Sequence, residues 1–297
     1  MKQLPVGNEL FLDHVGYFLA DLEGAAARFQ RLGFTVSPVN IHYDDTGSGL
    51  VRAGTANRLI VFEAGYIEAL GQIADTPLGA ELAAGVARYE GLHLLALAHE
   101  RVEDHDAGGT EMRPTVFLRR PLEDARIVRA TVRRATAEAM PEGRVQLLTH
   151  ETPELIWLPG MDHHANAARA LTGFLQIVTD PEEAAARYAR FVGRPARKRG
   201  PVYEIILDRG CIALAGPDAL GALLLGAAYL LPPFGAALAI ESADLDCTRA
   251  TLSQAGIACH ERPDRLLVPP CDGLGAWIDF HRAGAPPLWA ARWASAR

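Results

Sequence analysis

Leu12-Asp13-His14-Val15-Gly16-Tyr17-Phe18 and Leu92-His93-Leu94-Leu95-Ala96-Leu97 are the stretches on which the reading of this chain turns. Each is a short apolar run with one histidine near its start, the second histidine falling seventy-nine residues after the first. An acidic residue follows each histidine by seven positions, Asp21 in one case and Glu100 in the other. Apolar runs of this length, bounded by polar sequence, read as buried strands. A histidine held at one register of a repeated strand suggests a metal site built from two copies of one unit.

Working outward from His14, the strand Leu12 to Leu19 is followed by a helix over Leu22 to Leu32, its apolar face formed by Ala25, Ala26, Phe29 and Leu32 and its stop by Gly33. Strands Arg58 to Glu63 and Tyr66 to Leu70 then flank a tight turn at Ala64-Gly65. The order returns from Phe174: a strand, a helix opening on Asp180-Pro181-Glu182-Glu183 and stopping at Gly193, then strands Val202 to Leu207 and Cys211 to Ala215. A further copy runs from a strand at Ala236 to Glu241, through a helix over Leu245 to Ala255, to strands Arg265 to Val268 and Ala276 to His281. Around His93 the match is looser, with a helix expected over the polar Arg101 to Ala107 and closing strands at Ile127 to Thr136 and Arg144 to Thr149. The pattern predicts an α+β fold of four tandem βαβββ modules, paired into two domains, 1–165 and 166–297.

The bulk properties fit two domains. The chain has 297 residues, 49% hydrophobic and 22% charged, enough for two cores of ordinary size. Its net charge of −7 argues against a nucleic-acid partner. The four cysteines all lie in the last third without Cys-x-x-Cys spacing, as expected of reduced thiols in a cytoplasmic protein. Met1-Lys2-Gln3-Leu4-Pro5 has no apolar signal segment, and the most apolar stretch, Leu220 to Leu231, is too short to span a bilayer. It reads as a buried helix linking two units, so no membrane partner is expected. No phosphate loop, nucleophile elbow or dinucleotide fingerprint occurs.

The paired βαβββ unit resembles the vicinal oxygen chelate superfamily, which includes glyoxalase I, extradiol dioxygenases and bleomycin-resistance proteins. The resemblance covers nearly the whole chain. It is most specific where Leu12-Asp13-His14-Val15 and Gly54-Thr55-Ala56-Asn57-Arg58 precede Gly65-Tyr66-Ile67-Glu68-Ala69-Leu70, a combination similar to glyoxalase-like domain proteins. Thr152-Pro153-Glu154-Leu155-Ile156-Trp157 resembles the segment closing the first half of such proteins. The resemblance implies cupped mixed-sheet half-barrels, with metal ligands taken from the first and last strand of each module.

In the first-strand register the four positions are read as His14, His93, Gly173 and Ala237. In the last strand, counted three residues past the turn glycine, they are Glu68, Gln146, Ala213 and Ile278. The first half thus offers His14, Glu68, His93 and Gln146 to a divalent Zn, Ni, Mn, Co or Fe ion, with His150 or Glu154 as alternatives to Gln146. The second half offers no ligand. Glu68 could also act as a catalytic base, while Asn57 and Arg58 read as substrate contacts. His42 and Tyr43 are placed in a polar loop that continues through Asp44 to Gly49 and could cover the pocket mouth. His99 and His105 read as solvated, and Asp162 to Asn166 as an exposed connector.

The resemblance implies a metal-dependent lyase or isomerase acting on a small molecule through adjacent oxygens. The alternatives are an Fe(II) extradiol-type dioxygenase and a binding or resistance protein that uses the cup without catalysis. A homodimer is the assembly that superfamily habit implies.

Overall fold

The computed structural model describes residues 2–122, 124–224 and 230–291. The first half holds β1 (Leu10–Phe18), α1 (Leu22–Arg31), β2 (Asn40–Asp45), β3 (Leu50–Val61), β4 (Tyr66–Gln72), α2 (Pro77–Arg88), β5 (Gly91–His99), β6 (Val116–Pro121), β7 (Ile127–Arg134) and β8 (Arg144–His150). The second holds β9 (Ala168–Ile177), α3 (Pro181–Val192), β10 (Ala196–Arg199), β11 (Val202–Ile206), β12 (Cys211–Ala215), α4 (Pro217–Leu224), β13 (Phe234–Ser242), α5 (Leu245–Gln254), β14 (His260–Arg262), β15 (Arg265–Val268), β16 (Trp277–Arg282) and α6 (Leu288–Ala291). The fold is mixed α+β, built from modules of the vicinal oxygen chelate type.

The first eight strands close into a barrel in the order β1-β4-β3-β2-β6-β7-β8-β5, with β5 returning to β1. β4 lies parallel to β1 and β8 parallel to β5, while β1 and β5 run antiparallel at the centre. In the second half, β9 and β13 form the same antiparallel centre, flanked by the parallel partners β12 and β16. Closing the first sheet leaves no free edge there and encloses a space between its strands.

Helices α1, α3 and α5 open in one way. Asp21, Asp180 and Asp244 each accept hydrogen bonds from two backbone N–H groups of the first turn, satisfying donors the helix leaves unpaired. Phe29, Tyr188, Phe191 and Leu252 of these helices share one buried cluster with Leu12, Val15, Leu95, Leu97 and Phe174 of the strands. After β5 no such helix follows. Arg101 to Asp104 form turns, and Glu100 accepts from the Gly7 N–H instead of capping a helix. The helix expected over Arg101 to Ala107 is therefore absent; the sequence there lacks both a capping aspartate and an apolar stripe.

Three further expectations change. Asn40 to Asp45 is a strand of the barrel rather than a loop. β3 starts at Leu50, well before Arg58. The helix read over Leu220 to Leu231 is α4 as far as Leu224, while residues 225–229 lie outside the described residues. Among the described residues no helix is long and apolar enough to cross a membrane.

The second sheet also curves into a cup, and its hollow is filled. Leu175, Ala213, Ala237, Ala239 and Trp277 form an apolar cluster with Leu288 and Trp289 of α6. A Cβ on Gly173 would stand 2.5 Å from the Trp289 ring, so glycine here makes room for that side chain. Trp289→Ala is expected to cost about 3–5 kcal/mol of stability and Gly173→Ala about 1–3 kcal/mol. Urea unfolding of the double variant should show a loss smaller than the sum of the two. Full additivity would mean that the indole does not fill the cup against Gly173.

Candidate active site

The site begins with an irregularity in β1. Pairing with β5 runs Leu12 to Leu97 and then His14 to Ala96, so Asp13 is an extra residue, a β-bulge. Leu12 and Val15 both belong to the helix-side core, which turns Asp13 and His14 together toward the barrel interior. His14 Nδ1 donates to Asp13 Oδ2 at 2.7 Å, and His150 Nε2 donates to Asp13 Oδ1 at 3.0 Å. The His14 ring stacks on Tyr66 with centroids 4.3 Å apart. Its Nε2 has no hydrogen-bond partner and stands 3.5 Å from Glu68 Oε2.

Glu68 enters from β4 behind the Gly65 turn, which holds φ +77 and packs so close to β1 that a Cβ there would meet the Asp13 carbonyl at 2.8 Å. Its Oε1 accepts from Asn57 Nδ2 at 2.5 Å and lies 3.8 Å from His42 Nε2. His42 Nε2 is likewise buried without a partner, its ring held by an Nδ1 contact of 3.0 Å with Thr55 Oγ1. Two imidazole nitrogens thus converge on one buried carboxylate.

The second module supplies a different set. Arg120, Arg134, Arg144, Gln146 and Leu94 line the same cavity, whose free volume is about 40 Å³. That is room for two or three water molecules. Arg134 Nε donates to Gln146 Oε1 at 3.2 Å, and Arg120 Nη1 to Asn57 Oδ1 at 3.2 Å.

His93 is not brought to this cavity. β5 also carries a bulge: Gly16 pairs with Leu94 and Tyr17 with Leu92, leaving His93 as the extra residue. His93 therefore corresponds to Asp13, and Leu94 to His14. The His93 ring lies between Tyr89 and Phe18, with centroids at 3.8 Å and 4.8 Å, and Nε2 donates to the Tyr89 carbonyl at 2.8 Å. The seven-residue count from Glu100 misplaces the register by one because Glu100 caps no helix. Among β-strand positions one residue decides which slot a side chain fills.

Of the other expected residues, Gln146 and His150 do line the cavity, while Glu154 sits exposed in a short 3₁₀ turn, Pro153–Leu155. Asn57 is fully buried behind Glu68, which it orients. Arg58 turns away, bonding the Ser37 carbonyl and pairing with Glu23. In the second half, the last-strand position facing the cup is Asp279 rather than Ile278, and its carboxylate pairs with Arg265 at 3.0 Å. His99 is buried, His105 bonds the Phe191 carbonyl, and His164 bonds Val61 O; these are structural roles rather than solvated ones. His42, Asp13 and the three arginines were missed. Asp13 alone left a signal, its place beside His14 in the opening motif.

Burial opposes charge on His14, but Asp13 and Glu68 outweigh it and raise its pKa to about 9. Burial also opposes the charged form of Glu68; His14, His42 and Asn57 overcome it and hold the carboxyl well below the usual range. His42, His93 and His164 are each pushed down to about 4, chiefly by burial.

The model of the glyoxalase-like domain matches residues 12–192, more than half of the chain. The protein belongs to the glyoxalase-like domain family. Among solved structures, this glyoxalase-like protein is similar to a hypothetical protein from Staphylococcus aureus, at 10% identity and TM-score 0.61, over 92% of this chain and 99% of that one. It is also similar to a mutant of 4-hydroxymandelate synthase from Streptomyces coelicolor, at 12% identity and TM-score 0.59, over 97% and 99%. A fusion of a xylose isomerase-like TIM barrel with 4-hydroxyphenylpyruvate dioxygenase aligns at 10% identity and TM-score 0.59, over 100% of this chain and 54% of that one. No curated protein matches the sequence. At these identities the structural likeness establishes the fold alone.

Four buried histidines, two of them in this site, shape how the stability of the metal-free protein depends on pH. His14 stabilises the fold fully below its ordinary value of 6.5 and loses that contribution as pH rises through about 9, a linkage of about 3 kcal/mol. The three neutral histidines act oppositely: their contribution is present above 6.5 and fades as pH falls toward about 4. Thermal unfolding in chelator should therefore show a maximum near pH 6.5. His14→Asn should flatten the alkaline limb, and an unchanged alkaline limb would contradict the His14 ion pair.

Proposed function

We propose that the first-half barrel is the centre of a metal-dependent enzyme acting on a small molecule, with His14, His42 and Glu68 as protein ligands. The observation that carries this is the pair of buried, unpartnered Nε2 atoms facing opposite oxygens of one carboxylate. Among the described residues no ready group of three or more His, Cys, Asp and Glu side chains stands in ligating positions. In this reading the long His14–Glu68 and His42–Glu68 contacts are what ligation replaces. Imidazole and carboxylate donors suit Zn, Ni, Mn, Co or Fe.

When bound, such an ion supplies Lewis acidity toward a substrate oxygen, which fits lyase or isomerase chemistry. The chain's own residues prepare the site for it. Asp13 takes the His14 Nδ1–H and so leaves Nε2 as the nitrogen that would coordinate once its proton is lost, the outer-contact arrangement typical of metal-bound histidine. Asn57, itself held by Arg120, fixes the Glu68 carboxylate. A Glu68 oxygen not engaged with metal can accept a substrate proton.

A second reading, binding without catalysis, draws on Leu94 and Gln146, which fill the second module's slots with weak or non-ligating groups. The dioxygenase reading finds its two histidines and one carboxylate in this set, yet the second-half cup is packed with its own side chains. All four cysteines are free thiols, in keeping with the cytoplasmic location we propose.

Elemental analysis of untagged protein, before and after metal addition, tests the proposal. About one equivalent per chain is expected, with Asp13→Asn lowering affinity roughly 10- to 100-fold. His42→Ala and Glu68→Gln should lower it further, while His93→Ala leaves it unchanged. Less than about a tenth of an equivalent, with none taken up on addition, would overturn the metal reading and leave the binding one.

A further inference from the structure

We propose that the substrate of this site is a small carboxylate, bound by Arg120 and Arg134. The inference rests on the first-half barrel being the active centre, and it concerns two guanidinium groups that no carboxylate pairs with directly among the described residues.

Three arginines reach the cavity. Arg144 is matched by Glu81 at 3.0 Å, which also pairs with Arg113 at 2.6 Å. Arg120 and Arg134 have no carboxylate within ion-pair distance among the described residues. Arg120 is only 4% exposed; its Nη1 donates to a neutral amide oxygen on Asn57, and its Nε is buried with no partner. Arg134 also donates to a neutral amide, on Gln146, and stands beside the like charge of Arg144, while Glu81, Asp44 and Glu68 act on it only from beyond ion-pair distance. The nearest carboxylates take hydrogen bonds from other groups: Asp13, behind the cavity wall, from His14 and His150, and Glu68, in the wall, from Asn57.

A guanidinium buried without a counter-charge is among the costliest arrangements in a protein interior, unless an anion is bound there. The planar fork of Arg suits a two-oxygen anion. The small free volume of about 40 Å³ beside Arg120 favours a flat carboxylate over a tetrahedral phosphate. Arg134 and Arg144 also border a second hollow of about 290 Å³, lined by Phe18, Ala84, His93 and Met140, where the rest of the molecule can lie. Arg120 reaches Glu68 through Asn57, so the anion and the proposed base share one neighbourhood.

Calorimetric titration of chelator-treated protein with malonate, and separately with inorganic phosphate, tests this without metal. Malonate should bind at one site per chain, at least tenfold more tightly than phosphate. Arg134→Gln and Arg120→Gln should each weaken malonate by tenfold or more, as expected for loss of a charged hydrogen bond, with two variants guarding against one that fails to fold. Arg134→Gln should still retain metal. No malonate binding, unchanged binding in the folded variants, or tighter binding of phosphate would each overturn the proposal. Metal uptake without malonate binding defeats this inference alone; malonate binding without metal uptake defeats the metal reading alone.

Discussion

Everything in the barrel follows from one extra residue in β1. A regular strand would send Asp13 and His14 to opposite faces, placing one of them among the helix-side apolar residues. The bulge turns both inward, so that Asp13 can hold His14 through Nδ1 and receive His150 from β8, two strands away around the barrel. With its ring fixed from behind and stacked on Tyr66, His14 has one free nitrogen, aimed at Glu68. The bulge is repeated in β5, β9 and β13, where His93, Thr172 and Ala236 are the extra residues.

The four modules share this geometry but not its chemistry. To the cavity lining the first contributes two imidazoles and a carboxylate; the second contributes three arginines, an amide and His150 from the corresponding strands. The barrel interior therefore has a wall of imidazole and carboxylate and a wall dominated by guanidinium, although the backbone pairing of the two modules is alike. In the second half the same slots hold Gly173, Ala213, Ala237 and an Asp279 already paired with Arg265. That half and the first share the buried helix layer.

Much of the fold was legible because strands and capped helices announce themselves locally. The turn at Ala64-Gly65 fixed the count to Glu68, and Asp180-Pro181 marked a helix start that the structure reproduces. His14 and Glu68 were read together for that reason. His93 was misread because bulges add a residue without any sequence marker, and Glu100 lies seven residues on without capping a helix. His42 was hidden because Asn40 to Asp45 is polar and irregular, and becomes a strand only by pairing with both β3 and β6. The arginines were invisible as site residues, since nothing local distinguishes a buried Arg120 from a solvated one.

The central claim is that His14, His42 and Glu68 form one site inside the first barrel. Anomalous X-ray diffraction at the zinc edge, from crystals soaked with zinc, locates bound metal directly. The account predicts one dominant peak inside the barrel, between the two Nε2 atoms and the Glu68 carboxylate. A dominant peak elsewhere, such as at Asp162 and His163, with none inside the barrel, would contradict it.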